Sequence, residues 1–155
     1  GRDAGNTMEK AVKSDLTLLT AGLKGAMVLL AEDNEVNQLV ARKILEKAGL
    51  TVKITNNGLE ALAMIEAEPF DLVLMDIQMP EMDGLEAARR LRADPRYRDL
   101  PVVAMTAHAM SGDRDLSLEA GMNDHVTKPI NLPELFSTLV RWIPASRNRI
   151  KSQDS

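Results

Sequence analysis

At 155 residues, with 45% apolar and 27% charged side chains, the chain has the make-up of one globular domain with a core of its own. A net charge of −4 argues against a general nucleic-acid binder, because phosphate contacts need clustered Lys and Arg. With no cysteine there is neither a disulfide framework nor a thiolate metal site, and no apolar run approaches the roughly 20 residues that span a bilayer.

Residues 1–25 are Gly-punctuated, with one apolar cluster (Leu16, Leu18, Leu19, Leu23) that predicts at most a weak docking helix. The segment reads as linker or tag, and a first residue other than Met is expected of a piece of a longer chain. No signal-peptide core is visible, and the composition is compatible with the cytoplasm. From Met27 the pattern sharpens. Met27–Leu30 reads as a strand ending in Ala31-Glu32-Asp33, and Asn34 can cap a helix carrying Val36, Leu39, Val40 and Ile44. Gly49 stands where a helix C′ residue belongs. Thr51–Thr55 is a second strand, Asn56-Asn57-Gly58 a turn, and Leu59, Leu62, Ala63 and Ile65 mark the next helix.

Phe70–Asp76 is a continuous apolar run ending in an acid, the pattern of a central strand buried on both faces. Met79-Pro80 and Asp83-Gly84 force a turn after it, and Asp83 with Glu86 caps a helix through Leu85, Ala88 and Leu91 that ends at Asp94-Pro95. Pro101–Thr106 is a fourth strand. Ser111-Gly112 starts a short helix ending near Gly121, and Asn123–Thr127 is the fifth strand, stopped by Lys128-Pro129. Asn131 with Glu134 caps a last helix carrying Leu132, Leu135, Leu139 and Trp142, which Pro144 is expected to end. The remainder, 145–155, reads as a polar disordered tail. The folded unit is therefore 26–144. Alternation of five strands with five helices predicts an α/β fold, a five-stranded parallel sheet in the flavodoxin-like order 2-1-3-4-5 with helices on both faces. The switch point then lies between strands one and three, which brings Glu32 and Asp33 beside Asp76.

The polar residues at the strand ends are Glu32, Asp33, Asp76, Thr106 and Lys128. Three carboxylates at one mouth repel each other unless a cation intervenes, and oxygen donors without Cys or His favour a hard ion, Mg²⁺ first. As solvated helix caps, Glu32 and Asp33 would carry no chemistry; joined to Asp76 and Lys128, that bland reading loses its force.

These residues, with the M-D-I-Q-M-P-x-M-D-G, A-M-T-A and K-P segments in order, resemble the receiver (response-regulator) domain of two-component signalling over Met27–Ile143. The resemblance implies that Asp76 is the phosphoacceptor, taking a phosphoryl group from a phosphohistidine and catalysing its own dephosphorylation. It implies Mg²⁺ held by Asp33, Asp76, the Gln78 backbone carbonyl and Glu32 through water. Lys128 would pair with the phosphoryl oxygens, Thr106 would donate its hydroxyl and move on phosphorylation, and the Lys128–Pro129 bond would be cis. His125 stands where the family has an aromatic switch partner. Gln78 and His108 occupy places that tune water access to the acyl phosphate.

A haloacid-dehalogenase-type phosphatase would need an acid at Gln78, and a flavodoxin would not place Glu32-Asp33 where phosphate binds. A receiver-like binding module lacking phosphorylation is the stronger rival, yet all five residues are present. The Asp33–Gln38 run and the segment Ala104–Met110 resemble receivers of hybrid sensor histidine kinases. The partners so implied are a histidine kinase domain, in the same chain or another, and a histidine-phosphotransfer protein; the alternative is a single-domain regulator. No DNA-binding output unit or membrane contact is expected of this segment. The face of the fourth helix, fifth strand and fifth helix, with Val126, Thr127 and Leu132 near its top, is the expected partner or homodimer surface.

Overall fold

The structure, a computed structural model, describes residues 23–107 and 112–154, the backbone alone for 113 and 144–154. Short apolar runs and capped amphipathic segments alternate as β1 (Met27–Ala31), α1 (Glu35–Lys47), β2 (Thr51–Thr55), α2 (Gly58–Ala67), β3 (Leu72–Asp76), α3 (Gly84–Ala93), β4 (Val102–Thr106), α4 (Asp113–Glu119), β5 (Asp124–Thr127) and α5 (Leu132–Asp154). A single 3₁₀ turn, Pro95–Tyr97, follows α3. All pairings are parallel, and the sheet order is 2-1-3-4-5. Every strand therefore presents its C-terminal end at one edge.

Strand alternation divides the core. Val28, Leu30, Leu72, Leu74, Val103 and Met105 face α1 and α5, where Ala41, Leu45, Leu135, Leu139 and Ile143 meet them. Leu29, Ala31, Val73, Met75, Val102 and Ala104 face α2 and α3, against Ala61, Ile65, Ala87, Ala88 and Leu91. Each large aliphatic side chain so buried contributes about 2 kcal/mol. Strand β3, central in the order, is buried along its whole length. Leu23, just ahead of the sheet, is fully buried in the α1–α5 layer, and Gly25 donates its N–H to Gly49 O at 2.8 Å.

The predicted caps at Asn34, Asp83 and Asn131 form, and Asn57, read as a turn residue, is a fourth. Asn34, Asn57 and Asp83 each accept the N–H three residues on, and Asn131 does the same for Glu134 at 3.1 Å. Gly49 follows α1 with φ +92°, the left-handed conformation of a C′ residue. Two expectations need correction. Pro144 lies inside α5, whose helical backbone runs on to Asp154. A proline removes one helical hydrogen bond, but Leu139 and Ile143, both fully buried, seat the turn before it. On α1 the periodic stripe is not the buried one: Val36, Leu39 and Val40 are exposed, and the small Ala41 with Leu45 makes the core contact. The expected docking helix at Leu16–Leu19 lies outside the described residues.

Candidate functional site

The parallel sheet delivers Glu32 and Asp33 from the end of β1, Asp76 as the last residue of β3, Thr106 as the last of β4, and Lys128 just past β5. The three acids and Lys128 line an open cleft of about 560 Å³ at the strand-end edge, whose walls also include Asn34, Asn37, Gln78, Met79 and Pro80. One carboxylate oxygen from each of Glu32, Asp33 and Asp76 lies within 4.8 Å of the others. Asp33 is exposed, whereas Glu32 and Asp76 are 1% and 2% accessible.

Burial of two acids so close together is offset by specific donors. Lys128 Nζ donates to Asp76 Oδ2 at 2.7 Å and to Glu32 Oε2 at 3.3 Å. Asp76 Oδ1 accepts the Gln78 N–H at 3.1 Å. These bonds do not fully compensate. Burial, with Glu32 repulsion adding to it, pushes the Asp76 carboxyl up to about 6 despite the hydrogen bond from Lys128. For Lys128, burial works against the charge, but pairing with Asp76 and Glu32 outweighs it and raises the ammonium above its ordinary value.

The frame that aims these groups is backbone-made. Lys128 N–H donates to Thr106 O at 2.8 Å, and the Lys128–Pro129 peptide bond is cis. Thr106, 3% accessible, ends β4 beside Thr127, one residue before Lys128. Gly84 N–H donates to Ile77 O at 3.0 Å, folding the 77–83 loop back over β3. A Cβ at Gly84 would lie 2.2 Å from the Asp76 carbonyl oxygen, so only glycine fits there. Asn57 and Gly58 hold the same loop from the other side, through Asn57 Nδ2 to Glu81 Oε2 (3.4 Å) and Gly58 N–H to Met82 O (2.8 Å).

His125 is half-buried on β5, opposite Ala104 on β4, its Nδ1 3.8 Å from Asp124 Oδ1. Asp124 is claimed by Trp142 Nε1 at 2.9 Å and Arg141 at 3.2 Å. Gln78 is exposed on the cleft wall. His108 lies outside the described residues. Glu134, expected to turn back on its helix cap, instead accepts from Thr127 N–H and Oγ1, both at 2.9 Å. Sequence reasoning included Asn37 and Gln38 in the Asp33–Gln38 run and read Gly84 as a turn residue, but gave none of the three a contact with the acids, which their positions alone do not reveal.

A sequence profile of the response regulator receiver domain matches residues 28–140. The sensor histidine kinase GacS of Pseudomonas protegens is 41% identical over 126 residues, 79% of this chain and 14% of GacS. The polar-differentiation response regulator DivK of Brucella anthropi is 40% identical over 116 residues, covering 75% of this chain and 94% of DivK. The chain thus spans about a seventh of the kinase but nearly all of the regulator. Among solved structures, the receiver domain of sensor histidine kinase PA1611 from Pseudomonas aeruginosa, with magnesium coordinated in its active-site cleft, superposes with a TM-score of 0.72 at 42% identity, covering 77% of this chain and 98% of that one. The receiver domain of Ssk1 from Saccharomyces cerevisiae, crystallised with the histidine phosphotransfer protein Ypd1, gives 0.72 at 31% identity, covering 77% and 90%. A profile match over most of the chain, a sheet of order 2-1-3-4-5 and relatives of this identity agree: the chain belongs to the response regulator receiver domain family.

Proposed function

We propose that Asp76 is the phosphoacceptor of a two-component phosphorelay, and that the chain takes its phosphoryl group from a phosphohistidine. The observation that carries this is the convergence of three carboxylates with Lys128 seated 2.7 Å from Asp76. An Asp76 oxygen attacks phosphorus, the P–N bond breaks, and the electron pair leaves with the donor's imidazole. Such transfer has a loose transition state, so catalysis is mostly positioning and charge neutralisation. Lys128 supplies one fixed positive charge beside the acceptor, and Thr106 would donate its hydroxyl to the transferred group.

The donor set fits Mg²⁺: oxygen atoms alone, one acid exposed and two buried, at a mouth open to water. Asp33, Asp76 and the Gln78 carbonyl would hold the ion directly, and Glu32, its oxygens already engaged, through water. When bound, Mg²⁺ neutralises charge on the phosphoryl oxygens. Gln78 and His108 would set water access, and His125 would follow Thr106 in the switch.

The partner reading is a histidine-phosphotransfer protein, the kind of protein bound to the Ssk1 receiver. Val36, Leu39 and Val40 form an exposed apolar stripe on α1, whose first turn lines the cleft, and a helical donor could cover it while reaching Asp76. Such a donor belongs to a hybrid histidine kinase relay, placed in the cytoplasm where ATP charges the kinase. The extent of the match to DivK supports a second reading, a single-domain regulator. For a homodimer the α4–β5–α5 face offers exposed Leu116, Leu118 and Leu132, but not Val126, which is buried in the core.

Incubation with acetyl phosphate, with and without Mg²⁺, followed by intact mass, tests the chemistry. One Mg²⁺-dependent phosphoryl adduct is expected, absent from Asp76→Asn. Labelling that survives in the variant would move the acceptor elsewhere. No labelling of the folded, Mg²⁺-supplied protein, by acetyl phosphate or by a phosphohistidine donor, would leave a binding module.

A further inference from the structure

The start of α1 does more than carry an acid and a cap. Glu32 is fully buried, and beside the Lys128 ammonium its carboxylate is met by two neutral donors of the Asn34–Asn37 turn. Oε1 accepts the Asn34 N–H at 3.0 Å and Asn37 Nδ2 at 3.4 Å. Asn34 in turn accepts the Asn37 N–H at 3.0 Å, fixing the turn from which the Asn37 side chain reaches back. Gln38 Nε2 donates to the Glu32 main-chain carbonyl and, at 2.8 Å, to Asn56 Oδ1 at the end of β2. Only Oε2 faces the cleft, toward Lys128.

Helix formation does not ask for these residues. Asn is a mediocre helix former, and a longer straight chain would serve an exposed first turn better. Hydrogen bonds from amides hold an anion without cancelling its charge, unlike a second cation. The arrangement therefore keeps the Glu32 carboxylate oriented and buried, with one oxygen held by the Asn34–Asn37 turn and the other by Lys128 at the cleft.

We infer that Asn37 and Gln38 are positioning residues for the acidic pair, setting the cation affinity of the cleft rather than the rate of the phosphoryl step. Asn37 fixes which way the Glu32 carboxylate points. Gln38 pins the backbone between Glu32 and Asp33 and ties it to the β2–α2 turn, so both acids keep their spacing before an ion arrives. This rests on the reading of the cleft as an Mg²⁺-dependent phosphoacceptor site.

The test is Mg²⁺ titration by calorimetry, with initial acetyl phosphate labelling rates across Mg²⁺ concentrations, for Asn37→Ala and Gln38→Met. Methionine keeps the length of Gln38 and removes its donors, so the fold is little burdened. Each variant should bind Mg²⁺ about tenfold more weakly, the scale of losing a partner that orients a metal ligand. Labelling at saturating Mg²⁺ should stay near that of the unmodified protein. Arg42→Ala, which removes an exposed α1 ion pair with Glu46 at 2.8 Å, should change neither quantity. Unchanged Mg²⁺ affinity in Gln38→Met, or a lost saturating rate at unchanged affinity, would overturn the inference. Failure of the unmodified protein to bind Mg²⁺ would instead defeat the reading on which it rests.

Discussion

At the scale of single residues, Asp76 is the costly one. Its carboxyl titrates near 6 in the fold against 3.8 for the ordinary group, chiefly because it is buried. A raised value means the folded state prefers the protonated acid. This contribution to stability is whole below about pH 4 and is lost as the pH rises through 6. Without divalent cation, Asp76→Asn should be more stable than the unmodified protein at pH 7.5, by up to about 3 kcal/mol, and the gap should close below about pH 4. Urea unfolding in chelator at the two pH values measures it. The same proton competes with Mg²⁺, so affinity should fall as the pH drops from 7 to 5, by at most about tenfold per pH unit for one proton. The chemistry was legible here because each of these residues ends an apolar run or adjoins a turn, which places it at the strand edge before any coordinates are known. What stayed hidden was the traffic between side chains: that Asn37 serves Glu32 and that Glu134 serves Thr127 depends on rotamers and loop paths that no spacing rule encodes.

At the scale of elements, the loop after β3 depends on a close approach. Gly84→Ala would drive a methyl group into the Asp76 carbonyl and against Met75, and backbone, not a flexible tip, must yield. Overpacking of this kind costs about 1–3 kcal/mol, and because the displaced atoms carry Asp76, the cation affinity should fall with it. Chemical denaturation and Mg²⁺ calorimetry on one preparation would show both losses. The strands were readable from continuous apolar runs, and the helix starts from Asn34, Asp83 and Asn131. Which face of α1 is buried was not. Period alone marks a helix with an apolar stripe, but the face set against the sheet carries Ala41 and Leu45, and Val36, Leu39 and Val40 turn outward. Likewise Arg92 reads as one of several surface arginines in α3, yet it donates to Gly121 O and Asn123 Oδ1 at 2.7 and 2.6 Å, joining α3 to the approach to β5.

At the scale of the whole molecule, the proposed function assigns chemistry and recognition to different surfaces. The acids and Lys128 sit in the cleft, and the exposed stripe lies beside it on α1. Val36→Ser with Leu39→Ser should slow phosphoryl transfer from a histidine-phosphotransfer protein about tenfold or more, while labelling by acetyl phosphate stays unchanged. Parallel slowing of both reactions would mean that the stripe supports the cleft instead of a partner. The Lys128 ammonium between Asp76 and Glu32 has a broader consequence. Because the fold carries its own counterion, the cleft never presents three bare negative charges. A divalent ion held by Asp33 and Asp76 would join a cation already in place rather than fill a void. The cleft is thus neutralised in part by a group of its own before any metal is bound.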